Sequence, residues 1–568
     1  MGTYAFADLS DFASGIVNGT GKGSTFTQSF PLLQTVHTRL NSLGFYVQDE
    51  WKIRNNLNLT YGVRFELQGN PSCKEGCYSR PNTAFLAPGY QAGLAIPYNV
   101  TLQTGLHHNF KDFEGVVTEP RFAFAYSPRG EGKTVIRGGV GLFANTIQGS
   151  ITASVFGNPP NKFTPTVSAG TVGLIGTAGS ADSAAAASSQ AFQAGFAQGD
   201  TLPEIRASLP AGTTFATPTL YVNPDDFHTI KVLEWSAELE QPVGSHDLVN
   251  ISYSANHGYD EPLTNAAANA YVSNPALYPN EFAGLPSSAP DPRFSTVTQI
   301  SNAGISNYEG LTVAERHAMH RGLQGQISYT WSHALQFGTI YNPVLFAAQS
   351  SSAGSYGPTN FDTRHNLEAD LVYSEPRLRN GLLDAAAGGW TLGGKLYLYS
   401  GRPYSVTNSL IQSGLVGKGL TNNFPSTTTI LADTVNPSII GSHCGKGAVQ
   451  GACITPNEFA SAVTATNAEC QRDFGNVSPN SFRGPGFFSI ATQLSKSVRM
   501  TERTHFELGA DAYNLLNHTN LAVPNSNLGA SGFGLITATV SSPTSIYGTG
   551  QGAIVSGRVL VVFGKFLF

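Results

Sequence analysis

Charge is what this chain of 568 residues has least of: Asp, Glu, Lys and Arg together make up 12%, against roughly 25% in ordinary soluble domains. The net charge of −5 is spread without a long run of either sign, so the basic footprint of a nucleic-acid binder is missing and no nucleic-acid partner is expected. Long hydrophobic runs are missing too. No apolar stretch approaches the ~18 residues of a helical span, which excludes a helical membrane protein. A membrane protein built of strands survives that exclusion. Its spans need only about 9–11 residues and alternate lipid-facing with water-facing side chains, an alternation that averages to the near-neutral mean hydropathy of −0.09. The opening MGTYAFADLSDFASG has no basic segment followed by an apolar one, so no secretory signal is read there.

Cysteine is scarce, at five residues. Cys73 and Cys77 lie close together in PSCKEGCYSR, while Cys444, Cys453 and Cys470 share one long polar segment. Two readings stand: metal ligation, with His443 as a further ligand, or loop disulfides in an oxidising compartment. The spacings match no usual zinc pattern, which favours disulfides. Cys73–Cys77 is the candidate pair, and one of the three later cysteines is then left over.

What is present is polarity without charge, from 62 Gly and many Asn, Ser and Thr, together with a two-residue alternation that recurs along the chain. In NLTYGVRFEL and its flanks, Leu57, Leu59, Tyr61, Val63, Phe65 and Leu67 point one way, and Asn58, Thr60, Gly62, Arg64 and Glu66 the other. The segment pairs with FYVQDEWKI across Arg54-Asn55-Asn56. Further pairs are RFAFAYSP with KTVIRGGVGLF, VLEWSAELEQ with DLVNISYSAN, and NYEGLTVAERHAM with LQGQISYTWSHAL. FDTRHNLEADLVYS with WTLGGKLYLYS and GFFSIATQLSKSV with HFELGADAYNLLN follow, and AIVSGRVLVVFGKFLF closes the chain.

Connections within pairs run to roughly 3 to 13 residues and those between pairs to roughly 20 to 85, many more long loops than soluble domains carry. Short turns on one side and long loops on the other are the plan of a transmembrane β-barrel. The expected fold is therefore all-β, a transmembrane antiparallel β-barrel of the outer membrane. Residues 1–568 form one barrel domain, with short periplasmic turns and long extracellular loops at 145–229 and 401–484. Tyr46, Trp51, Tyr61, Trp235, Tyr253, Tyr329, Trp331, Trp390, Tyr397 and Tyr399 would supply the interfacial girdles. Leu560, Val562, Phe566 and Phe568 fall on one face of the last strand, with Gly564. The Ala-rich segment 168–200 reads as a loop with a marginal helix over 183–198.

Catalytic and cofactor motifs do not hold up. GTGKGST is similar to a phosphate-binding loop, but Gly23 breaks the required Gly-Lys-Ser/Thr. His317 and His320, three apart on a strand, should face opposite sides and so not chelate together. His107-His108 reads as loop polarity. No nucleophile and base can be paired, so no enzyme, cofactor or metal is expected. Arg64, Glu66, Arg137, Glu507 and Asp511 read as water-facing wall residues.

Five blocks in order resemble the barrel of TonB-dependent outer-membrane receptors, in particular the Oar-like subgroup. They are FYVQDEWKIRNNLNLTYGVRFE, EPRFAFAYSPRGEGKTVIRGGVGLF, FDTRHNLEADLVY, GGWTLGGKLYLYSGRPYSV and RGPGFFSIATQLSKSVRMTERTHFELGADAYNLLNHTN. The resemblance implies a barrel of roughly 22 strands, a plug in its lumen and energising contact with the TonB system. It also implies insertion by the barrel assembly machinery, which would read the terminal strand, and uptake of a large substrate. Neither plug nor TonB-contact segment is found. The strand count is about 14, taking GTYAFADLSDF as the first, roughly eight short of the implied barrel. The chain thus reads as the C-terminal portion of a receptor. A surface adhesin or structural interaction barrel is the alternative, and an outer-membrane hydrolase a distant third.

Overall fold

The computed structural model describes residues 2–14, 23–128, 130, 133–168, 180–265, 268–269, 289–337, 356–375, 388–409, 431–441, 444, 453–460, 476–500, 504–540 and 557–568. Thirteen long strands form one sheet in which each pairs antiparallel with its neighbour in sequence. They are β1 (Ser42–Arg54), β2 (Leu57–Gln68), β3 (Val116–Tyr126), β4 (Val135–Ala144), β5 (Lys231–Val243), β6 (Asp247–Asn265) and β7 (Val297–His320). They continue as β8 (Leu323–Phe337), β9 (His365–Ser374), β10 (Trp390–Tyr399), β11 (Phe487–Arg499), β12 (His505–Tyr513) and β13 (Val559–Leu567). All six expected pairs and the closing strand are there. β1 and β13 are the two edges of the sheet and run in the same direction, as the first and last members of an odd up-and-down series.

The two faces settle what the alternation left open. In β2 the apolar side chains are the exposed ones, with Tyr61 at 44% and Phe65 at 39%, whereas Glu66 and Gln68 on the other face are buried at 5% and 6%. A protein core would give the opposite. Cross-strand register carries the apolar face across the sheet: Leu239 opposes Ile251, Ile251 opposes Val313, and Val313 opposes Tyr329. The face continues with Leu367 opposite Leu398 and Ala510 opposite Val562. A continuous apolar belt of this extent is far beyond what a soluble surface tolerates and is the face a bilayer covers. No described helix is long and apolar enough to cross a membrane, so the strands do the crossing.

Two strands run far past their sequence words. β7 has 24 residues and β6 has 19, where about 9–11 suffice to span. Their outer parts rise past the belt and carry the connections, Leu220–Val222 adding a short parallel strand against Val297–Gln299.

The long connections fold into a cap. Phe85, Tyr98, Leu102, Phe163, Phe192, Leu202, Leu220 and Phe294, drawn from three different connections, share one buried cluster with Val297 at the start of β7. The segment read as a loop with a marginal helix is an 18-residue helix, α1 (Ala181–Gln198). It is stabilised by burial of Ala181, Ala185, Ser188, Phe192 and Phe196 along one side, with the Phe192 ring 4.3 Å from Phe163. Tertiary packing supplies what isolated helices of this length lack. Gly199, at φ +82°, ends α1 by adopting the left-handed conformation that the C-terminal carbonyls require. α2 (Leu202–Ala207) follows, capped reciprocally by Thr201 and Glu204.

The strand expected at GTYAFADLSDF is not part of the sheet. Gly2–Ala5 pairs with Thr25–Gln28 in a separate four-stranded sheet, and Leu9–Ser14 is a short helix. Tyr4 packs against buried Phe26 with ring centroids 4.5 Å apart, and the Asp11 amide donates to Asp8 at 2.8 Å, a local side-chain bond that favours a helix start over a strand. Among the described residues the wall therefore has 13 long strands, not about 14.

Candidate functional site

The polar face of the wall presents ordered rows, because paired residues of adjacent strands share a face. One row runs Gly62, Arg121, Gly141, Glu234, Asn256, Tyr308. The next runs Thr60, Ala123, Gly139, Ser236, Ser254, Gly310, and the third Asn58, Ala125, Arg137, Glu238, Ser252, Thr312. The middle row is made only of small residues, so the charged rows stand above it as banks of a trough. A cavity of about 470 Å³ lies there, lined among others by Thr60, Arg121, Gly139, Phe143, Glu234, Asn256 and Tyr308. It continues into a hollow of about 420 Å³ beside Arg137 and Glu238. These sizes suit a ligand or a segment of one.

Charges on the banks are fixed by their partners. Arg121 donates to Glu119 at 2.8 Å and lies over the Phe143 ring, 4.4 Å from its centroid. Arg64 donates to Glu66 at 2.5 Å, and Arg137 bridges Glu238, at 3.3 Å, and Glu240. Arg64, Glu66, Arg137, Glu507 and Asp511 all lie on this polar face by register. Such a surface can orient a polar ligand by hydrogen bonds and paired charges.

Two buried ion pairs join different connections of the cap. Arg293 is bidentate to Asp291 and also donates to the Gln91, Ile96 and Pro97 carbonyls and to Thr101 Oγ1. Asp362 accepts from Arg483 and, at 2.7 Å, from the Ala334 amide. Burial alone would raise the Asp362 carboxyl; the Arg483 hydrogen bond and charge, with the Ala334 amide, hold it below its usual range. Asp362 and Arg483 come from FDTRHN and FRGPGFF, two words 121 residues apart. Neither pair was anticipated. Asp291 and Arg293 share one word, but the carbonyls that Arg293 reaches and the Arg483 partner of Asp362 lie far away in sequence.

The structure places the expected residues as follows. Cys73 and Cys77 form a disulfide, with Cα atoms 5.9 Å apart, buried under the cap beside Tyr78. Burial pushes the Tyr78 hydroxyl up to about 12. Cys444 and Cys453 form a second disulfide; His443 and Cys470 lie outside the described residues. Leu560, Val562 and Phe566 share the apolar face of β13, and Phe566 opposes Phe506 with ring centroids 4.8 Å apart. Phe568 follows the strand and is exposed.

Three girdle assignments are corrected. Tyr46 opposes Arg64, Tyr397 opposes Glu368, and Tyr399 opposes Asn366, all on the polar face. The other correction concerns His317 and His320. His317 pairs with Gly325 and His320 with Leu323, so three steps on β7 match two on β8. This bulge inserts one residue and resets the alternation, bringing both histidines to the same side. The two-residue turn that follows, Arg321-Gly322 with φ +50° and +85°, is the left-handed pair that tight hairpins demand.

Residues 1–547 match the family described as outer membrane beta barrel domain. Among solved structures the chain is similar to the outer membrane transporter YddB from Escherichia coli, at 10% identity over 96% of this chain and 55% of that one, TM-score 0.36. It is also similar to the FrpB iron transporter from Neisseria meningitidis, at 9% identity over 96% of this chain and 54% of that one, TM-score 0.39. A third is the siderophore receptor PirA from Pseudomonas aeruginosa, at 8% identity over 96% of this chain and 56% of that one, TM-score 0.36. The chain spans about half the length of these proteins. No curated protein matches it. With an outward apolar belt, a polar inner face and a family match over nearly its whole length, the chain belongs to the outer membrane beta barrel domain family and resides in the outer membrane.

Proposed function

We propose that the chain is the wall of a TonB-dependent receptor of the Oar-like kind, taking up a substrate too large for porins. The observation that carries this reading is the trough of small residues between two charged rows, since it offers a water-lined track with fixed hydrogen-bonding groups along the inner face. The long-connection end is then extracellular, where the cap meets substrate first. The barrel assembly machinery, outer-membrane lipid and the TonB system, the last through a plug, are the expected partners. No catalytic role is assigned.

The folded cap also suits the alternative of a surface adhesin, because a rigid aromatic core with buried ion pairs presents a fixed outer surface. Uptake separates the two. Cells lacking the gene should lose accumulation of one or more solutes above the porin size limit, and the same loss should follow inactivation of TonB in cells that keep the gene. Unchanged accumulation with impaired surface attachment would favour the adhesin and sink the transport reading.

A further inference from the structure

We propose that the short-turn rim of the wall carries a site for a divalent transition metal of the zinc class, held by Asp247, Glu315 and His317. Asp247 opens β6 immediately after the turn that contains Gly244 and His246, and it stands directly opposite His317 of β7, Nδ1 to Oδ1 2.5 Å. Glu315 is two residues before His317 and therefore on the same face. One donor atom from each of the three lies within 4.8 Å of the others. Bonds of about 2.0–2.2 Å to an ion bring donors to roughly 3–3.5 Å apart, so closure needs about an ångström of movement from side chains that are only half-buried at a strand end.

The surroundings favour a cation there. Neither carboxylate makes an ion pair with Lys or Arg among the described residues, and Arg316, between them in sequence, lies on the opposite face of β7 opposite Leu248. The two acidic groups thus face imidazole and each other. The bulge that brings His320 to this side places its ring 3.8 Å from that of His246, which in turn lies 6.3 Å from His317. Imidazole beside two carboxylates is a donor set for zinc, nickel or copper(II), too nitrogen-rich for calcium and without the thiolate that copper(I) prefers. An ion there would tie the β5–β6 turn to the end of β7, linking two hairpins at the rim where only short turns join the strands.

The test uses the whole chain in detergent, stripped with chelator and titrated with zinc chloride by calorimetry. The expected result is one saturable equivalent per chain, lost in His317→Ala and weakened at least ten-fold in Asp247→Asn, with His107→Ala unchanged. Cobalt(II) should give visible d–d bands that His317→Ala abolishes. Asp247→Asn keeps the side-chain shape and carries the test if His317→Ala fails to show the heat-modifiable migration of a folded barrel. No saturable zinc binding by the unmodified chain, or equal affinity in Asp247→Asn, overturns the proposal.

Discussion

Arg293 closes a two-point bond with Asp291, Nε to Oδ1 at 2.9 Å and Nη2 to Oδ2 at 2.6 Å, with both side chains wholly shielded from solvent. The pair joins two connections of the cap: Asp291 also accepts from Tyr90 at 2.8 Å, and Tyr98 donates to the Arg293 carbonyl at 2.7 Å. Removing one partner of a buried pair strands the other charge, at a cost of about 3–5 kcal/mol. Arg293→Ala should therefore loosen the cap while leaving the wall intact. Hydrogen exchange in 85–102 should rise sharply with no change in the strands; equal protection in the variant would contradict this.

The Asp362–Arg483 pair predicts an acid limit. The Asp362 carboxyl sits below its usual range in the folded protein. Its contribution is therefore complete above the unfolded aspartate value of about 3.9 and disappears as pH falls through the folded value. Thermal stability of the cap should hold from neutral pH down to about 4 and drop below it. Asp362→Asn should be less stable at neutral pH and lack that drop.

Facing can be tested at adjacent positions. Val313 is on the lipid face, and Thr312, whose hydroxyl meets that of Thr330 at 2.9 Å, is on the polar face. Val313→Arg should cost roughly 2–4 kcal/mol near the midplane and Thr312→Arg much less. The same contrast holds for Leu59 and Thr60 of β2. Spin labels at Val63 and Thr60 should report hydrocarbon and water respectively; matching polar signals from both would refute the face assignment.

Peptide mapping without reductant should recover Cys73 linked to Cys77 and Cys444 linked to Cys453. Recovery of all four as free thiols from oxidised outer membranes would rule the bridges out.

Deleting 566–568 from the full-length protein should lower its outer-membrane level, because the exposed apolar face of Leu560, Val562, Phe566 and Phe568 is the end that the assembly machinery is expected to read. Normal levels with normal heat-modifiable migration would remove that role from the terminal strand.

What the sequence by itself determined is everything with a two-residue period. Leu57, Leu59, Tyr61, Val63, Phe65 and Leu67 alternate with polar neighbours, and each such word became a wall strand in the expected order, because a strand's facing depends only on parity along the chain. Tertiary structure decided the rest. Parity alone leaves open whether the apolar face is core or lipid side; the alternation of short and long connections points to lipid, and burial of Glu66 with exposure of Tyr61 agrees. Phe192 stabilises a helix through Phe163, 29 positions earlier by numbering, a contact that no local pattern announces. Asp362 meets Arg483 across 121 positions. His317 and His320 defeat parity because one bulged residue, set by pairing with β8, shifts the alternation. Period is a property of neighbouring residues, whereas burial, ion pairing and register depend on which distant segments the chain brings together.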